Sequence, residues 1–72
     1  MNRLTVGECI KRARKINGHM TQEDLAFKAN VAHSALSNYE TDKISPKVST
    51  LEKIAEACNS DLIELLRGCP HG

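Results

Sequence analysis

Tryptophan is absent from these 72 residues, and tyrosine and phenylalanine occur once each. With so few rings the core must be aliphatic. Long β-branched or alternating polar–apolar runs are also missing, which argues against a sheet and predicts an all-α fold. No apolar run approaches the roughly 18 residues of a membrane span. The N-terminus, MNRLTVGECIKRARK, lacks the apolar heart of a signal peptide, so the expected location is cytoplasmic, with no membrane partner. Cysteine is sparse and odd in number: Cys9, Cys58 and Cys69 stand at spacings that match no zinc pattern. Cys9 and Cys58 fall on apolar helix positions, where cysteine acts as a small hydrophobe. Cys69, in the tail GCPHG, reads as a reduced thiol rather than as a metal ligand with His71. No nucleophile, base and orienting group fall into a set, and the chain is too short to enclose a pocket. Neither an enzyme nor a metal, cofactor or small-molecule ligand is expected.

Net charge is nearly absent too, at +1, but it is unevenly spread. Residues 1–47 carry eight Lys/Arg against five Asp/Glu, and residues 48–72 carry two against four. A basic first part joined to a mildly acidic second part suits one face for an anionic partner and another for something else. A merely solvated first helix gives the same distribution. The length sets one domain over 1–72, with an ordered core over about 4–68 and a short tail at 69–72. A domain this small buries only about 60% of its unfolded surface, so a second subunit would help it.

What is present is a series of short amphipathic segments with clear ends. Thr5 and Glu8 make a capping box that predicts a helix starting after Thr5. Val6, Cys9, Ile10, Ala13 and Ile16 form its apolar stripe, and Asn17-Gly18 ends it. Thr21 and Asp24 repeat the box ahead of a second helix, QEDLAFKA, with Leu25, Ala26 and Ala29 turned inward. A third helix, AHSALSNYE, has one large aliphatic, Leu36. After the turn-rich TDKISP comes a fourth helix from Val48 to about Cys58, using Val48, Leu51, Ile54, Ala55 and Cys58 on one face. Ser60 is the expected N-cap of a fifth, DLIELLR, ending at Gly68. Four aliphatics there (Leu62, Ile63, Leu65 and Leu66) are more than one face hides.

Between the second and third helices, KANVAHSALSNYE turns without glycine or proline. Asparagine is well suited to a left-handed backbone, so Asn30 can make the corner, with Val31 plugging the space behind it. Two short helices joined this tightly form a helix-turn-helix. The stretch TQEDLAFKANVAHSALSNYETDKISP resembles the helix-turn-helix of the Cro and phage-repressor family of bacterial DNA-binding proteins. GECIKRARKING resembles that family's first helix, and VSTLEKIAEACNSDLIELL its last two. The resemblance covers Gly7 to Leu66. It implies a compact five-helix, lambda-repressor-like bundle, similar to the small controller proteins of restriction–modification systems.

By this resemblance, Gln22 opens helix 2 and grips a DNA phosphate. Arg14 and Glu40 form a partly buried structural ion pair, and His33, Ser34, Ser37 and Asn38 face the bases. Asn30 and Asp42 stand where the family usually has glycine, and GHMTQ is one residue longer than the usual glycine-to-glutamine spacing. Physical chemistry supports the same assignment: i, i+1, i+4, i+5 spacing clusters those four short polar side chains on one side of the helix, as base reading in the major groove requires. Ser34 and Ser37 can equally face phosphate or water; for His33 and Asn38 a solvated surface is the alternative, which the helix-turn-helix context disfavours. Thr21, Gln22, Lys43, Ser45 and Lys47 are the expected phosphate contacts; for the two lysines, plain solvated surface is the alternative.

The expected function is sequence-specific binding of a double-stranded DNA operator by a homodimer. Transcriptional repression or autoregulation in the nucleoid would follow. Leu62, Leu65 and Leu66 are the expected dimer interface. The alternative is a protein-interaction module, such as an antitoxin or adaptor, that keeps the fold but uses its last two helices on a protein partner.

Overall fold

A computed structural model describes residues 4–67, with the side chain of residue 67 left aside. Five helices follow one another: α1 (Val6–Ile16), α2 (Gln22–Ala29), α3 (His33–Glu40), α4 (Val48–Ala57) and α5 (Leu62–Arg67). No strand occurs among the described residues. The expected end of the fifth helix at Gly68, and the expectations for Cys69 and His71, lie outside the described residues.

Both capping boxes form. Glu8 N–H donates to Thr5 Oγ1 at 3.2 Å, and Thr5 N–H donates to Glu8 Oε1 at 2.9 Å. At α2, Asp24 N–H donates to Thr21 Oγ1 and Thr21 N–H to Asp24 Oδ2, each at 3.1 Å. Those hydrogen bonds hold the Asp24 carboxyl below its usual range, with the Thr21 backbone amide the largest cause. The third helix starts one residue later than its pattern suggested, because Ala32 has an extended backbone and serves as its N-cap. At α5 the cap is not Ser60. Asp61 Oδ1 accepts from Glu64 N–H at 2.8 Å, whereas the Ser60 hydroxyl turns back to the Cys58 carbonyl. A carboxylate is the stronger acceptor for a helix-terminal amide, which explains the shift.

Ile10, Leu25, Leu36 and Ile54 are the largest fully buried aliphatics, with Met20, Leu51 and Leu65 around them. The core is thus aliphatic, with Tyr39 only packed against it. Val31 also packs on this core from the corner. Val6, Ile16 and Val48 stand exposed rather than completing the apolar faces expected for their helices. Cys58 is a free, buried thiol that burial keeps protonated. Cys9 is as deeply covered, but it is disulfide-bonded rather than simply a small hydrophobe.

The corner at Asn30 has φ 57° and ψ 47°, the left-handed conformation expected of it. Its N–H bonds the Phe27 carbonyl, and Val31 N–H reaches the Ala26 carbonyl at 3.0 Å. Asp42, at φ 61°, makes the second left-handed corner, after α3. Its carboxylate does more than permit the turn. Oδ2 accepts from Thr5 Oγ1 at 2.5 Å, and Oδ1 accepts from Gly7 N–H at 3.0 Å. This draws the start of α1 onto the end of α3 so closely that a Cβ on Gly7 would lie 2.4 Å from the Tyr39 carbonyl oxygen. Gly7→Ala should therefore destabilise the domain by about 1–3 kcal/mol, read as a lower urea midpoint with an unchanged slope.

Candidate nucleic-acid interface

α3 is a helix with two chemistries. Leu36 and Glu40, one turn apart, are its buried residues, while His33 and Ser34 are exposed and Ser37 and Asn38 half-buried. None of the four polar residues expected to face a ligand is buried. The backbone carbonyl of Asn38 accepts from Lys43 and Ile44 N–H, which folds the following loop against the helix end. Lys43, Ser45 and Lys47 are exposed on that loop, and Thr21 is exposed at the opening of α2. Among the described residues no cluster of His, Cys, Asp and Glu could hold a metal, and no helix is long and apolar enough to cross a membrane.

Beneath this surface lies a buried carboxylate. Glu40 is 2% exposed, yet both oxygens are used. Arg14 Nε donates to Oε2 at 2.9 Å and Arg14 Nη2 to Oε1 at 3.0 Å, a two-pronged pair from α1. A third donor, Gln22 Nε2 from α2, reaches Oε1 at 3.0 Å. Arg14 Nη1 also closes the loop before α2 by donating to the Met20 carbonyl at 2.8 Å. The expected Arg14–Glu40 contact is therefore present, with its acidic member wholly rather than partly buried.

Gln22 was expected at the surface as a phosphate ligand alone. Here its amide nitrogen serves Glu40, and its carbonyl oxygen lies 3.2 Å from His33 Nε2. Arg14, Thr21, Gln22, Glu23 and His33 line one shallow notch where α1, α2 and α3 meet. Neither this link nor the Asp42 clasp was read from the sequence, because both join residues far apart in the chain. The asparagine-like turn role of Asp42 was the one available signal.

The surface expected for self-association is rearranged. Leu65 is 2% exposed and belongs to the core, and Leu62 packs against that core. Leu66 is half-buried, and the aliphatic that α5 presents to solvent is Ile63, at 69% exposure. α5 has to close the bundle over α1 and α4, which uses up Leu65.

With this arrangement of five helices and its corner in place, the comparisons are decisive: the helix-turn-helix family matches residues 10–65. The chain belongs to that family. It is 46% identical over 54 residues to the immunity repressor protein of Bacillus phage phi105, covering 75% of this chain and 37% of that protein. The chain spans less than half the length of the curated relatives it matches. Among solved structures, the restriction–modification controller protein C.AhdI of Aeromonas hydrophila superposes with a TM-score of 0.78 at 25% identity, over 83% of this chain and 89% of that one. SinR of Bacillus subtilis, the master regulator for biofilm formation solved in complex with DNA, gives 0.77 at 35% identity, over 86% and 98%.

Removing the charge of Glu40 tests the centre of this site. Glu40→Gln leaves the Arg14 guanidinium without its counter-ion in a largely dry setting. The expected loss is about 3–5 kcal/mol of stability, the range for breaking one side of a buried pair, measured by chemical denaturation.

Proposed function

We propose that residues 1–72 act as one helix-turn-helix domain of a transcriptional regulator, a repressor or autoregulator, that binds double-stranded DNA in a sequence-specific way. It works as a homodimer on a palindromic operator, in the cytoplasm and at the nucleoid, without catalytic activity. The observation that carries this reading is α3 itself. It is anchored by the buried Leu36 and Glu40 and leaves His33, Ser34, Ser37 and Asn38 unburied, four short polar side chains sized for base edges in the major groove.

Asn38 would pair with adenine, and Ser34 and Ser37 would accept several bases. Thr21, Gln22, Lys43, Ser45 and Lys47 would hold the flanking phosphates, the lysines releasing counter-ions. Family membership supports the reading, as do the repressor name of the phage relative and the DNA-bound state of SinR.

Selection of sites from a random duplex pool at physiological salt tests it. A dyad-symmetric motif with half-sites about 10 bp apart is expected. Asn38→Ala should weaken binding to the selected site by on the order of tenfold or more. Enrichment of nothing would favour the interaction-module alternative. Ile63, with the half-buried Leu62 and Leu66, is the surface proposed for the partner protomer. Ile63→Asp should sediment as a monomer while keeping its helical circular dichroism. Leu65→Asp, by contrast, should lose the fold, since it places a charge in the core.

A further inference from the structure

Resting on the DNA-binding reading above, we infer that Gln22 clamps His33 so that His33 becomes a specificity-determining residue whose preferred base depends on its protonation. The argument starts at the buried end of the chain of bonds. A carboxylate only accepts hydrogen bonds, so the end of the Gln22 amide that faces Glu40 must be its nitrogen. Its carbonyl oxygen is then the atom turned to His33 Nε2. A carbonyl only accepts, so Nε2 must carry a hydrogen and donate it.

This selects one form of the neutral ring. Nε2 is the donor, and Nδ1, which makes no hydrogen bond among the described residues, carries a lone pair. In the charged ring Nε2–H keeps its bond to Gln22, and Nδ1 becomes a donor. Protonation therefore inverts the hydrogen-bonding character of the unused nitrogen while the anchoring bond stays as it was.

The major groove distinguishes those two states. Cytosine presents only its N4 amino group, which an acceptor meets; guanine presents N7 and O6, which need a donor; adenine presents both an amino group and N7. Clamped and neutral, His33 selects an exocyclic amino group. Clamped and charged, it rejects cytosine and accepts guanine. Imidazole is the side chain whose charge normally changes between about pH 5 and 8. The charged groups that line the notch with the ring are Arg14 from α1 and Glu23 from α2, and Glu40 of α3 is linked to it through Gln22. Arg14 is held by Glu40. Gln22 is a positioning residue here: it acts on the DNA through the ring it orients.

The test is site selection with the full chain at pH 8.0 and at pH 5.5, followed by affinity measurements on duplexes that differ at single positions. One position per half-site should change from cytosine at the higher pH to guanine at the lower, by on the order of tenfold in relative affinity. His33→Gln, which does not titrate, should give the same base at both values. Gln22→Leu should lose the amino-group preference at pH 8.0, because either neutral form of the ring is then open. A motif identical at both pH values overturns the inference and leaves the DNA-binding reading standing. So does a change of base that persists in His33→Gln, or a preference untouched in Gln22→Leu. No motif at either pH removes the DNA-binding reading, and the inference with it.

Discussion

A carboxylate sealed from water is tolerable only if its charge is balanced and its lone pairs are occupied. Glu40 meets both conditions by drawing donors from two other helices: Arg14 of α1 and Gln22 of α2. The three helices are therefore not free to choose their relative positions by hydrophobic packing alone. Aliphatic contacts tolerate sliding, because one methyl group replaces another at little loss. Three charge-assisted hydrogen bonds with lengths of 2.9 to 3.0 Å do not. The helix that carries the polar face is thus set in register by its last residue, while its first residue, His33, is reached through the same glutamine.

Around that pair the remaining architecture reads as support. Asp42 fastens the start of α1 to the end of α3, and Arg14, near the other end of α1, reaches Glu40. α1 is consequently a strut pinned at two places to the helix it braces. α4 packs on α2, and α5 closes over both α1 and α4. Leu51, Ile54 and Leu65 fill the space this creates. The half-buried aliphatics of α5 follow from that closing role, which leaves Ile63 alone to face outward.

Local order was legible because it is written locally. Both capping boxes, the Asn30 corner and the span of α2 follow from residues within a few positions of one another, and each takes the expected form. Capping at α5 misled, since Ser60 and the neighbouring Asp61 both qualify and only geometry separates a hydroxyl from a stronger carboxylate acceptor. The apolar stripes overstated burial at Val6, Ile16 and Val48, for periodicity identifies a face but not where the neighbouring helix stops covering it. Of the site, the four polar residues of α3 and the Arg14–Glu40 pair came from pattern and family resemblance. The Gln22–His33 link and the Asp42 clasp span 11 and 35 residues, and no local rule reaches across such distances.

The corners bear on the unfolded chain as well as the folded one. His19, Asn30, Asp42 and Asn59 all adopt positive φ, and Gly18 is the one described glycine that does. A glycine at each bend would remove the strain of a side chain in the left-handed region, but it would also widen the ensemble that must be ordered on folding. Asparagine and aspartate accept modest strain in return for a narrower starting ensemble, and Asp42 recovers more through its bonds to α1. For a domain whose core is a handful of aliphatics, stability is partly a property of how little disorder its bends permit before the helices ever meet.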